Sequence, residues 1–135
     1  MADLQPIIYL TAGEVLAFNR EILRRAGQSS ALLRERGLLE SAVQRPQNAS
    51  YYTGADMVEQ AALYMVGIAV NHPFVDGNKR TGYITGMTFL QINRHLDVDA
   101  GLNDAQMGVW LEQVVNRSIP LEAFVSRLRR RLTNP

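Results

Sequence analysis

The sequence predicts an all-α protein. Three observations carry that expectation. Apolar residues recur at helical spacing through most of the chain. Two segments open with the capping-box pattern, an N-cap residue followed three positions later by Glu: Thr11 with Glu14, and Asp56 with Glu59. Strand-like alternation is scarce. At 135 residues, with a hydrophobic fraction of 47%, the chain suits one domain over 1–135 with one core.

Taken in order, "PIIYL" reads as a short extended lead-in. Thr11 opens a helix that buries Val15, Leu16, Phe18, Ile22 and Leu23 on one face and stops near Ala26–Gly27. A short helix follows over Gly37–Gln44, burying Leu38, Leu39, Ala42 and Val43, with Pro46 ending it. "RPQNASYYTG" is then expected as an exposed loop. Asp56 caps a helix that runs through an almost wholly apolar segment to about Asn71, which makes it a central one. Pro73 disfavours helical geometry at His72, so the chain breaks there. The next helix starts near Gly77–Asn78 and reaches Asn93. "RHLDVDAGLN" connects it to a helix capped by Asn103 or Asp104, which ends near Asn116 and buries Met107, Trp110, Leu111 and Val114. Ser118 and Pro120 open a last helix to about Leu132. The expected architecture is a helical bundle with a polar loop between its two central helices.

Composition excludes several classes. There is no Cys, so disulfides and thiolate zinc sites are absent, and two distant His residues make a poor metal site. A net charge of +1 gives no field that by itself implies nucleic acid. No segment has the roughly 18 uninterrupted apolar residues of a membrane span. "MADLQPIIYL" lacks the features of a signal peptide, so "NAS" and "NRS" carry little weight as glycosylation patterns and the expectation is a cytoplasmic protein without membrane contact. The arginines of "SRLRRRL" fall in the last helical turns, where the helix dipole favours cations, so they read as a solvated helix end rather than a DNA contact. His95, in a polar connection, reads as a surface residue.

The chemistry concentrates in "NHPFVDGNKRTG", residues 71–82. Its second half is a helix N-terminus, whose first N–H groups lack intrahelical partners and favour anions, phosphate above all. Gly77 brings backbone close to a ligand, Asn78 adds an amide, Lys79 a point charge and Arg80 a planar fork. Two cations at a helix start run against the dipole, which suggests a bound anion. Asp76 beside phosphates calls for a bridging Mg²⁺. His72, with an ordinary pKa of about 6.5, can take a proton from a hydroxyl nucleophile. From these residues alone, a phosphate-ligand site and an ordinary polar turn both stay open.

"HPFVDGNKR" resembles the signature of the Fic/Doc superfamily, His-Pro-Phe-x-acid-Gly-Asn-x-Arg, at consecutive positions 72–80. "YLTAGEVLAFN" and "GLLESAVQRP" look like the family's first two helices, and the stretch from Tyr51 to Asn93 looks like its death-on-curing (Doc) branch. Lys79 follows the Asn as in that branch, where adenylyl-transferring Fic enzymes usually have Gly. Gly77 departs from Doc, which has Ala there, toward Fic.

The resemblance implies a Fic/Doc-type fold and a toxin of a toxin–antitoxin pair. Such a toxin would transfer the γ-phosphate of ATP, with Mg²⁺, to a threonine of elongation factor Tu and so block translation. It assigns His72 as general base and Asp76 as Mg²⁺ ligand and acceptor guide. Gly77, Asn78, Lys79 and Arg80 would bind phosphate, and Pro73 and Phe74 would be structural. The segment with Arg45, Asn48, Tyr51 and Tyr52 would be a target-docking flap that pairs strand-like with the target. The alternatives are a Fic-type adenylyltransferase and a catalytically silent partner-binding module. No Glu in this chain is followed by Gly or Asn, so the inhibitory motif of many Fic enzymes is missing. Restraint would then come from a Phd-like antitoxin, which would be the DNA-binding member of the pair.

Overall fold

The structure, a computed structural model, describes residues 6–28, 33–93 and 105–133. Six helices account for most of them: α1 (Ala12–Arg25), α2 (Arg36–Thr53), α3 (Met57–Asn71), α4 (Asn78–Ile92), α5 (Ala105–Val115) and α6 (Leu121–Thr133). Among the described residues there is no strand, only an isolated bridge between Leu33 and Phe74. The connection 94–104, with His95 and the expected caps Asn103 and Asp104, lies outside the described residues.

Both expected capping boxes form. Thr11 accepts from the Glu14 N–H and Asp56 from the Glu59 N–H, and each Glu reaches back to the N-cap backbone. At the other end of α1, Gly27 at φ 81° completes a Schellman arrangement, with Gln28 N–H on Leu23 C=O and Gly27 N–H on Arg24 C=O.

α3 is the central helix because it is apolar on every side. Each residue from Ala61 to Ala69 is buried, against α4 most extensively and then against α2. Close approach to α4 depends on two glycines. A Cβ on Gly82 would stand 2.6 Å from the Met65 carbonyl oxygen, and one on Gly86 2.7 Å from that of Ala61. The main core joins α3 and α4 to Met107, Leu111 and Val114 of α5 and Phe124 and Leu128 of α6. Trp110 is only half-buried. A second cluster, Val15, Leu39, Ala42, Ile68 and Phe74, packs α1 and α2 on the end of α3 where the polar loop begins.

The lead-in 6–10 is held by side chains rather than by a partner strand. Asn93 bonds the Ile8 N–H and C=O, Gln60 accepts from the Tyr9 hydroxyl, and the Leu10 N–H donates to the Tyr64 hydroxyl. Burial pushes the Tyr64 phenol up to about 12.

The second helix departs from expectation. The helix predicted for Gly37–Gln44 runs from Arg36 to Thr53, straight through Pro46, and the expected loop "RPQNASYYTG" is its second half. A proline costs about 3 kcal/mol in a helix interior because it lacks an N–H and crowds the preceding turn. Here its ring is buried, which offsets part of that cost, and the helix continues to Thr53. The stop comes instead at Gly54, left-handed at φ 68°.

Candidate active site

The site is built where α3 ends and α4 begins. His72 closes α3 in the left-handed region, φ 56° and ψ 52°. Pro73 does break the helix, but into that conformation rather than the extended one a following proline favours. A non-glycine residue there is strained and needs its surroundings to hold it. Arg34 supplies that hold: its guanidinium donates to the carbonyls of His72 (2.8 Å) and Asn71 (3.2 Å), and its N–H to Pro73 C=O (2.6 Å). The chain before α2 therefore pairs with the loop, and the imidazole of His72 stays exposed.

The middle of the loop is pinned from inside. Phe74 is fully buried in the second cluster. Asn78, 4% exposed, accepts from the Phe74 N–H (2.9 Å) and donates to its C=O (2.8 Å). This corrects the expectation of a phosphate-binding amide. The side chain is committed to the loop, and what Asn78 can offer an anion is its backbone N–H at the head of α4, which has no side-chain cap.

Asp76 is exposed, with Oδ1 accepting from the Gly77 N–H (2.8 Å) and Oδ2 from Gln28 Nε2 (3.1 Å). Its carbonyl accepts from Asn19 Nδ2 (3.0 Å), which also donates to the Thr81 hydroxyl (3.0 Å). Gly77 sits at φ 79°, and a Cβ there would stand 3.1 Å from Asn19 Nδ2. A side chain at 77 would be strained by the positive φ and would press on Asn19, so glycine suits this position with no ligand present. Lys79 and Arg80 are exposed at the first turn of α4. Lys79 forms an ion pair with Glu112 of α5.

These groups meet at one cavity of about 620 Å³. His72, Asp76, Gly77, Asn78, Lys79 and Arg80 line its polar side. Ala69, Val75, Tyr83 and the α5 residues Ala105, Gly108, Leu111 and Val115 line the rest. The arrangement offers a base, a carboxylate, unpaired helix N–H groups and two cations around a space of ligand size. Every residue expected in the central loop to bind or react is brought together here.

The flap residues are not. Arg45, Asn48 and Tyr52 line a separate groove of about 540 Å³ with Leu63, Leu121 and Val125. Tyr51, 82% exposed, stands edge-on to Tyr52. Strand-like docking is contradicted for this segment, because the N–H and C=O groups of a helix are spent within it. Extended pairing beside His72 comes from residues 33–34 instead.

Sequence reasoning missed Asn19, Arg34, Gln28, Thr81 and Glu112. Asn19 had a signal: with Val15 and Leu23 it is spaced by four, on the buried face of α1. The others act across long sequence separations and had none. Of the C-terminal arginines, Arg127 lies over the Trp110 ring at 5.6 Å and Arg129 pairs with Asp56 at 3.1 Å. Among the described residues no helix is long and apolar enough to cross a membrane.

Comparison with known proteins adds two findings. The Fic/DOC family model matches residues 9–90. The chain is 34% identical over 122 residues to a protein named Toxin Doc from Mycolicibacterium smegmatis, across 88% of this chain and 85% of that relative. The match of residues 9–90 spans α1 through most of α4 and so contains the whole loop.

Proposed function

The chain belongs to the Fic/Doc family, and from that membership we propose that it is the toxin of a toxin–antitoxin pair, a protein phosphotransferase that moves the γ-phosphate of ATP to a protein hydroxyl. The observation that carries the reading is the convergence of His72, Asp76, the open head of α4, Lys79 and Arg80 on a single cavity. In the proposed step the acceptor oxygen bonds to the γ-phosphorus while the bond from that phosphorus to the β–γ bridging oxygen breaks. His72 takes the hydroxyl proton, and ADP departs with the electron pair. The N–H groups of Asn78, Lys79 and Arg80, with the two cationic side chains, hold the phosphates in line.

Asp76 suits Mg²⁺. One exposed carboxylate is enough when phosphate oxygens complete the shell, and the hydrogen bonds from Gly77 and Gln28 fix its orientation. Bound there, the ion would offset phosphate charge. The acceptor we propose is a threonine of elongation factor Tu, as the resemblance to Doc toxins implies, and the restraining partner a Phd-like antitoxin acting on a cytoplasmic enzyme.

Adenylyl transfer is the competing chemistry. In this chain Gly77 is the residue that favours it, and the positive φ at 77 with the nearby Asn19 offers a second reason for glycine there. Lys79 then keeps the weight, because it puts a side chain and a charge where adenylyl-transferring relatives leave space.

The test is intact-mass spectrometry of elongation factor Tu after incubation with the protein, ATP and Mg²⁺, with His72→Ala as control. A gain of one phosphate, lost in the control, is expected. A gain of one AMP would replace the phosphotransfer reading. No gain on any protein of a whole lysate would leave a catalytically silent binding module.

A further inference from the structure

Resting on the phosphate-site part of that reading, the structure assigns a second acidic residue to it. We propose that Glu112 is an anionic placeholder. It holds Lys79 in the nucleotide-free protein, and the polyphosphate displaces it on binding.

Lys79 and Arg80 occupy the first turn of α4, where the dipole disfavours cations, and no side chain caps that end. A first turn so charged favours an anion beside it. Among the described residues, the carboxylate that pairs with Lys79 comes from α5, far along the chain. Asp76 is nearer in sequence, but its oxygens face the Gly77 N–H and Gln28.

Glu112 is also well placed to leave. Ala105, Gly108, Leu111 and Val115 form the stripe of α5 that walls the cavity, and Glu112 stands beside that stripe without lining it. It therefore meets Lys79 at the rim and does not fill the space a ligand needs. The side chains of Lys79 and Glu112 are 52% and 48% exposed. A half-exposed pair of this kind contributes little and is easily exchanged. A polyphosphate brings several charges and can engage the backbone N–H groups, Lys79 and Arg80 together, so it outcompetes one carboxylate. A monoanion would not. Glu112 would then set a charge threshold for the site, and release of Lys79 would also loosen α5 from the head of α4.

The experiment is calorimetric titration of inorganic tripolyphosphate, at low ionic strength, into wild type, Glu112→Gln, Lys79→Gln and the double variant, with competition by ATP to locate the site. Tripolyphosphate is used because it reports on the anion site whichever group the enzyme transfers. Glu112→Gln should bind about three- to tenfold tighter than wild type, with the gain shrinking as salt rises. In the Lys79→Gln background the same substitution should give little or no gain. Equal or weaker binding by Glu112→Gln would overturn the placeholder role and leave the phosphate site standing. So would a full gain that survives Lys79→Gln, since Glu112 would then act through its field alone. If neither wild type nor Glu112→Gln binds, the phosphate-site reading fails and the inference falls with it.

Discussion

Asn78 encloses the backbone of Phe74 from both sides, accepting from its N–H at 2.9 Å and donating to its C=O at 2.8 Å. Both bonds are buried, so losing the amide would expose neither backbone group to bulk water. Asn78→Ala leaves the two unsatisfied, at about 1–3 kcal/mol each before relaxation. Urea denaturation should show a loss of about 2–4 kcal/mol. Asn78→Asp keeps the acceptor but sets a carboxylate against the Phe74 carbonyl. It should be no better than alanine, and a near-neutral result would mean that the bracket is not what fixes the loop.

Arg34 affects His72 through backbone alone. It bonds the carbonyls that end α3 and does not line the cavity. Arg34→Ala should cost about 1 kcal/mol of stability, the modest value for exposed bonds from a charged donor. Transferase activity should fall by a larger factor than that loss explains, because His72 is then free to leave its strained left-handed turn. Measuring kcat well below the variant's melting transition separates the two effects. An activity loss that merely tracks unfolding would exclude a positioning role.

Three glycines test how tightly the helices are packed. Alanine in a helix gains about 1 kcal/mol over glycine. At Gly82 and Gly86 the new Cβ meets carbonyl oxygens of α3 at 2.6 and 2.7 Å, and backbone cannot yield without parting α3 from α4. Overpacking of this kind costs about 1–3 kcal/mol or more and outweighs the propensity gain. Gly82→Ala and Gly86→Ala should lower Tm. At Gly108 nothing lies within 4 Å, so Gly108→Ala should raise Tm slightly.

Asp56 gives a pH dependence with a defined sign. Partial burial pushes its carboxyl up, but the Glu59 N–H and the Arg129 charge outweigh that and hold it below the ordinary carboxylate range. A depressed folded value contributes stability that is complete above the unfolded value near 4 and fades as pH falls through the lower folded one. Asp56→Asn retains a good N-cap and loses the ion pair with Arg129. The variant should be less stable than wild type at neutral pH, with the gap closing in acid. Denaturation midpoints across that range check it, and a gap constant with pH would mean the ion pair is silent.

The sequence alone determined the helices whose signals are local. The two capping boxes, the all-round apolar run of α3 and the break after Asn71 each depend on residues within a few positions, and those elements form as expected. It also set His72 through Arg80 side by side in the chain, and the structure brings His72, Asp76, Gly77, Asn78, Lys79 and Arg80 to one cavity. Tertiary structure decided the rest. Pro46 reads as a stop, yet α2 continues because burial of its ring offsets a local penalty, and burial depends on partners distant in sequence. Asn78 reads as a ligand group, yet it is spent on Phe74, because a buried peptide must be bonded by whichever side chain reaches it. Arg34 and Glu112 meet the loop only once α2 and α5 have docked. The strain at His72 and the counter-charge at Lys79 thus became visible only in three dimensions.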